Sequence, residues 1–356
     1  MWPRGRKHAL SALVRKIAAT LLVALVVAAA SKPAEPRDEP AVTRPQLGSD
    51  EAVDLEAWRE TFRRPTKTVS ADGEEDPLVR LGRHLFFERV LSGTGRMACS
   101  TCHDPANSFQ DGRPRAVGVF YKTLSRRTPP LFDLAEVPAL MRDGRARSLE
   151  EQVLMPVLDP NEMGQTLERL LEQLGRVRFY RDAFETLFPG EGPSARSIAA
   201  ALAAYVRSLT SPETAFDRWV EGDESALDDS ERRGFMLFVG KAGCVACHGG
   251  CRLTDDDFHD IGLPDRDRGR GALFPDVEVW QHAFRTPSLR GVAARPPYMH
   301  DGSLRSLEAV IDHYDRGGVD RPSRSKRVRP LGLSPQEKAD LRAFLESVSR
   351  PVGSGS

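Results

Sequence analysis

The sequence predicts a mainly α-helical chain built as two related halves, and three observations carry that prediction. Apolar residues recur at helical spacing, with no convincing alternating run to mark a strand. A pentad Cys-x-x-Cys-His occurs twice, at 99–103 and at 244–248. The surroundings of the two pentads echo each other. Leu81-Gly82-Arg83-His84-Leu85-Phe86 precedes the first, and Arg233-Gly234-Phe235-Met236-Leu237-Phe238 precedes the second. Arg127-Thr128-Pro129-Pro130-Leu131 follows the first, and Arg285-Thr286-Pro287-Ser288-Leu289 follows the second. A unit repeated with its context on both sides is an internal duplication.

The elements follow in order. Residues 1–30 open with Arg4, Arg6, Lys7, Arg15 and Lys16, contain no acid, and continue without a charge from Ile17 to Ala30. That apolar run falls short of the roughly 20 residues a spanning helix needs. With Ala28 and Ala30 as small residues before Ser31, it reads as a signal peptide, the alternative being an uncleaved anchor. Lys32 to Asp50 is rich in Pro, Ala and charge, and residues 31–75 read as a disordered leader. An N-terminal domain is expected over 76–220 and a C-terminal one over 221–350, parted by the acidic stretch Glu221 to Ser230.

Within them, Pro77 starts a helix with Leu78, Leu81 and Leu85 on one face. Ser148 and Glu151 suggest a capping box. Leu167, Leu170, Leu171 and Leu174 make one apolar stripe. Ile198, Leu202, Tyr205, Val206 and Leu209 make another, stopped by Pro212. Ser334 and Glu337 cap a last helix with core face Leu341, Phe344, Leu345 and Val348. The basic loop Arg321 to Arg329 reads as a solvated excursion, docking to a partner being the alternative.

With 356 residues, 29% of them charged, and a formal net charge of zero, the chain has room for two modest domains. It lacks the basic excess of a nucleic-acid binder. Five cysteines in an exported protein would suggest disulfides, but their spacing argues for c-type haem attachment. Two thiols three residues apart reach the two vinyl groups of one haem edge, and the adjacent histidine reaches the iron. A zinc site would need four ligands in one cluster, and each pentad offers three. A redox Cys-x-x-Cys has no need of the following histidine. The expectation is therefore two c-type cytochrome domains, with Cys99, Cys102, Cys244 and Cys247 attaching two haems and His103 and His248 ligating them. Cys251, the odd cysteine, reads as a packed thiol. His84, His259, His282 and His313 read as surface or supporting residues.

From about Asp76 to Val348 the chain resembles the bacterial di-haem cytochrome c peroxidases and their relative MauG, which oxidises tryptophans of a precursor protein. The resemblance rests on both pentads and on Asp143-Gly144-Arg145, Leu149-Glu150-Glu151-Gln152, Pro156, Glu162-Met163-Gly164, Phe284-Arg285-Thr286-Pro287-Ser288-Leu289-Arg290 and Tyr298-Met299-His300-Asp301-Gly302. It implies a periplasmic oxidoreductase that reduces hydrogen peroxide at its N-terminal haem. It also implies that Gln152, Pro156 and Glu162 line the distal face of that haem. Splitting peroxide calls for a group that takes a proton from one oxygen and returns it to the other, and a carboxylate with a raised pKa does this. Electrons would come from small c cytochromes or cupredoxins. The alternatives are a MauG-like oxidation of a partner protein and a non-catalytic electron carrier, which would have no use for a distal acid–base pair.

Four positions depart from the family pattern. The removable distal histidine of the activated peroxidases is matched by Val119, which implies an open first haem, with Tyr121 as a weak alternative ligand. The methionine on the second haem is matched by Tyr314, with Met299 as a lesser alternative, while His300 is expected to support the pocket. Leu307, Val310, Ile311 and Tyr314 share one helical face, so Tyr314 should meet the haem and His313 should not. The aromatic between the haems is matched by Arg142. The asparagine that helps hold an inter-domain calcium is matched by Arg127, which leaves calcium an open question.

Overall fold

The computed structural model describes residues 55–65 and 74–351. The expected signal peptide and most of the expected leader lie outside them. The leader expectation fails where it can be examined. Leu55–Phe62 is helix α1, and Trp58 and Phe62, one turn apart, are buried. The Phe62 ring meets Phe216 and Phe235 edge-on at 5.5 and 5.8 Å. A short charged segment thus joins the second core through two aromatic side chains.

The first core is formed by α2 (Pro77–Phe86), α6 (Leu167–Arg176), α7 (Arg178–Leu187) and α8 (Ala195–Ser208). Three one-turn helices lie between α2 and α6: α3 (Cys99–Cys102), α4 (Leu149–Gln152) and α5 (Met155–Leu158). Asp76 caps α2 by accepting from Leu78 N, and Pro77 needs no donor in the first turn. The expected capping box of α4 forms by one arm only. Ser148 Oγ accepts from Glu151 N at 3.1 Å, but the Glu151 carboxylate accepts from Arg147 N at 2.8 Å.

The second core gathers α1, α9 (Ala215–Val220), α10 (Asp229–Val239), α11 (Leu307–Arg316) and α12 (Pro335–Ser347). Ser334 and Glu337 form the reciprocal box on α12. The packing boundary differs from the expected one at 220/221. Phe216, Trp219 and Val220 of α9 belong to the second core, so the change of core falls after α8, in the segment that contains Pro212. The acidic stretch marks a connection inside the second core, because capping and salt bridging also place acids at helix starts.

The duplication has a physical expression. α2 crosses α8 at Gly82, where a Cβ would stand 1.8 Å from the Ala201 carbonyl oxygen. α10 crosses α12 at Gly234, where a Cβ would stand 2.0 Å from the Asp340 carbonyl oxygen. These are the two glycines of the echoed hexapeptides, and each lets two backbones touch. The strands are a two-residue pair, β1 (Phe258–His259) antiparallel to β2 (Phe284–Arg285), so the fold is mainly α, as expected. No helix among the described residues is long and apolar enough to cross a membrane.

Candidate haem sites

Each Cys-x-x-Cys-His opens onto a cavity. The first, of about 350 Å³, is lined by Cys99, Cys102 and His103 and by apolar residues that include Phe86, Leu131, Leu202 and Val206. The second, of about 230 Å³, is lined by Cys244, Cys247 and His248 and by Phe238, Leu307, Ile311 and Leu341 among others. His103 donates from Nδ1 to the Phe109 carbonyl at 3.0 Å, and His248 donates from Nδ1 to the Leu253 carbonyl at 3.1 Å. A carbonyl only accepts, so each ring carries its proton on Nδ1 and keeps Nε2 as a lone-pair donor. Burial holds both imidazoles below their ordinary pKa and keeps them neutral. Thiol pair, oriented histidine and apolar hollow together fit a c-type haem in each half.

In the first cavity Gln152, Pro156 and Glu162 all stand on the wall. Gln152, at the end of α4, makes only a long contact from Nε2 to Met141 Sδ at 3.7 Å. Pro156 lies in the first turn of α5 and its carbonyl accepts from Met163 N at 3.1 Å. The Glu162 backbone is pinned on both sides: its N–H donates to the Asp159 carbonyl at 3.1 Å and its carbonyl accepts from Val119 N at 2.8 Å. Burial, reinforced by the nearby Asp159 charge, raises the Glu162 pKa against the opposing pull of Arg145. Sequence reasoning missed the service Val119 performs. Its amide fixes Glu162, and Gly118 beside it would place a Cβ 1.9 Å from the Asn161 carbonyl. Tyr121 does not serve as an alternative ligand: it is 88% exposed and stands outside the cavity lining. His103 is the sole histidine among the residues lining this cavity.

In the second cavity Leu307, Val310, Ile311 and Tyr314 form one stripe of wall. The Tyr314 hydroxyl makes no hydrogen bond among the described residues. Burial, with the neighbouring Cys247 and Cys244, raises its pKa. His313 is turned away and donates from Nε2 to the Ile261 carbonyl at 3.0 Å. Met299 also lines the cavity. The His300 ring stacks on Phe284 at 3.7 Å. His282 is tied through Nδ1 to the Asp267 carbonyl at 2.9 Å, and His259 through Nε2 to Asp255 at 2.9 Å. Cys247, Asp255 and His259 bring ligand atoms within 4.8 Å of one another. A Cys247 sulfur committed to a thioether leaves that group short of a metal site. His84 packs edge-on against Phe179 on the first half, and Cys251 is a half-buried free thiol.

One expectation is corrected here. The basic loop 321–329 is not a solvated excursion. Arg321 pairs with the buried Asp260, Arg327 Nη1 donates to the Ala246 carbonyl at 2.9 Å, and Arg327, Val328 and Arg329 line the second cavity. At the position matched to calcium, the Arg127 guanidinium already takes the oxygens a cation would want. It donates to Gln110 Oε1 and, at 2.6 Å, to the Arg295 carbonyl. These residues do not fit a bound calcium, since a divalent ion would displace or repel a fixed positive group.

Comparison with known proteins agrees with this geometry. A family model described as di-haem cytochrome c peroxidase matches residues 76–225, and a cytochrome c model matches residues 232–349. A methylamine utilization protein MauG from Methylorubrum extorquens is 48% identical over 83% of this chain and 85% of its own length. The cytochrome c551 peroxidase of Pseudomonas aeruginosa is 31% identical over 76% of this chain and 78% of its own. A solved structure of a MauG-like protein associated with microbial copper homeostasis superposes with a TM-score of 0.73. It is 31% identical and is covered over 81% of this chain and 93% of its own.

Proposed function

Since the chain belongs to the di-haem cytochrome c peroxidase family, MauG included, we propose that it consumes hydrogen peroxide in its first cavity and draws the electrons from side chains of a partner protein. The observation that carries the peroxide chemistry is Glu162: a half-buried carboxyl with a raised pKa, on a pinned backbone and on the wall of a cavity with one histidine. When bound, the haems supply the redox chemistry by which peroxide takes up two electrons and two protons and leaves as two waters. The chain's own residues manage the protons. Glu162 accepts the proton of the near peroxide oxygen and delivers it to the far one, which departs as water. Gln152 donates its amide N–H groups to the peroxide oxygens. Pro156 sets the turn from which Glu162 is presented. Val119 offers no side-chain ligand, and His103 is the sole histidine on the cavity wall, so no second imidazole would compete for a bound haem.

Sequence alone ranks a peroxidase served by small c cytochromes or cupredoxins first. The 48% identity to a MauG and the unpartnered Tyr314 hydroxyl favour the partner-protein reading instead. An anionic oxygen ligand stabilises higher oxidation states of iron, which suits holding an oxidising equivalent until a bulky substrate docks. The small-donor peroxidase stays as the second reading on the strength of the same Glu162. The basic-then-apolar start of the chain supports export to the periplasm.

The deciding experiment uses protein purified without reductant. Peroxide turnover is measured with reduced cytochrome c and, separately, with a tryptophan-bearing precursor protein, beside electron paramagnetic resonance of the ferric enzyme. A high-spin first haem and turnover with the precursor, without prior reduction, are expected. Turnover with cytochrome c alone would establish the second reading. Two low-spin haems with no turnover would leave an electron carrier.

A further inference from the structure

The wall between the two cavities carries positive charge that is only partly balanced among the described residues. Arg127, Pro130, Arg142, Arg285, Pro287 and Ser288 line both cavities. None of these six is aromatic, and three are arginines. Arg285 has a carboxylate partner, Asp256, at 2.8 Å. Arg127 and Arg142 have none among the described residues. Arg142 Nε donates only to the Arg127 carbonyl, at 3.3 Å, and Arg127 has the amide and carbonyl oxygens described above. Arg295, also buried and on the wall of the second cavity, donates to the carbonyls of Gly291, Ser288 and Arg290 and forms no ion pair among the described residues.

Arg290 and Arg126 are treated differently. Arg290 is clamped on Asp217 at 2.6 Å, and Arg126 on Asp143 and Asp267 at 2.6 and 2.7 Å. Burying a charge without an opposite charge is costly, and an arginine does not escape by losing its proton at neutral pH. Two further donors, Arg127 Nε and Arg285 Nε, are buried with no partner at all. At Arg127 and Arg142 the wall therefore lacks anions, and the two vacant donors just named belong to residues that face both cavities.

A haem brings the anions that are missing, because each ring carries two propionates. Guanidinium and carboxylate match as a planar fork. We propose that Arg127 and Arg142 form a propionate-binding bridge shared by both haems, one cationic wall that positions the two rings and couples their redox states. This rests on the two-haem reading of the site and not on which substrate donates electrons. A guanidinium holds no electron or hole at biological potentials, so coupling across this wall is electrostatic and runs through hydrogen bonds. Adding an electron to either haem makes it more negative, and the shared positive charge favours that reduced form. Removing the charge should therefore disfavour reduction of both haems together.

The test is spectroelectrochemical titration of the two-haem protein, followed separately at the absorption bands of each haem. In Arg142→Gln, at the poise where the parent haem is half reduced, the reduced-to-oxidised ratio should fall about tenfold or more at both haems. That is about 59 mV for a one-electron couple. Arg142→Lys keeps the charge and loses the fork. It should restore most of both potentials while altering the propionate bands of both haems in the resonance Raman spectrum. If Arg142→Gln fails to load two haems by intact mass, the Lys variant carries the test alone. A ratio unchanged at both haems, or changed at one only, would overturn the bridge, as would unaltered propionate bands in the Lys variant. Loss of the proposed peroxide chemistry shows instead as absent turnover in the parent protein, with these titrations unaffected.

Discussion

The two halves of the molecule share a scaffold and differ in what they aim at it. Each has a helix that crosses a partner at a glycine, Gly82 over Ala201 and Gly234 over Asp340. Each opens a cavity at a Cys-x-x-Cys-His whose histidine donates to a carbonyl five or six residues on. The walls diverge. The first presents Glu162 and Gln152 to a cavity with one histidine. The second presents Tyr314 and Met299 and surrounds itself with His259, His282 and His300. The lesson is that the helices conserve the means of holding a planar cofactor, while the segments between them decide what else can reach it.

Glu162→Gln attacks that difference with the largest effect. It should lower the rate with peroxide by roughly 10²–10⁴-fold, as loss of general acid–base catalysis does, with both haems retained by mass. The pH profile sharpens the claim. Burial disfavours the charged carboxylate, so its pKa lies above the usual value near 4.3. The base form is lost as pH falls through that raised value, so the acid limb of the peroxide rate should sit above the ordinary carboxylate range and vanish in the variant. A limb that survives Glu162→Gln assigns the proton transfer to another group.

The second half is challenged by Tyr314→Phe against His313→Ala. The low-spin spectrum of the second haem should collapse in the tyrosine variant and persist in the histidine variant, whose Nε2 is already committed to Ile261. The reverse pattern would strip Tyr314 of its role and weaken the partner-protein reading. The smallest effect tests what the halves share. Gly82→Ala and Gly234→Ala should each cost about 1–3 kcal/mol, the usual range for overpacking, read as a lower midpoint in urea. Unequal costs would mean that one crossing relaxes more easily than the other.

The duplication, the helical class and the attachment pentads were legible because each is local: thiols three apart, apolar residues one turn apart, hexapeptides that repeat. Tyr314 was legible for the same reason, its face being written by Leu307, Val310 and Ile311. What escaped depends on distant partners. Leu55–Phe62 looks like a charged leader because only Trp58 and Phe62 reveal a buried side, and their partners lie in α9 and α10. Arg321 to Arg329 looks solvated because a run of cations ordinarily is, until Asp260 and a cavity are placed opposite it. Arg142 and Arg127 were visible as departures, but only the fold shows that they face the same two hollows.

The place of α1 has a consequence for how the chain matures. Arg59 bonds Glu224, 165 positions further on, and Phe62 meets the rings of Phe216 and Phe235 edge-on. In a chain delivered N-terminus first, at about 5–20 residues per second, α1 emerges with no surface to cover it and waits on the order of ten to thirty seconds. Residues 76–208 can meanwhile collapse onto their own core and close around the first attachment pentad. The first described helix is thus buried only after the first half, and its docking reports that α9 and α10 have arrived. A nascent chain stalled after α8 would display Trp58 and Phe62 bare, a ready signal to chaperones and proteases that synthesis is unfinished.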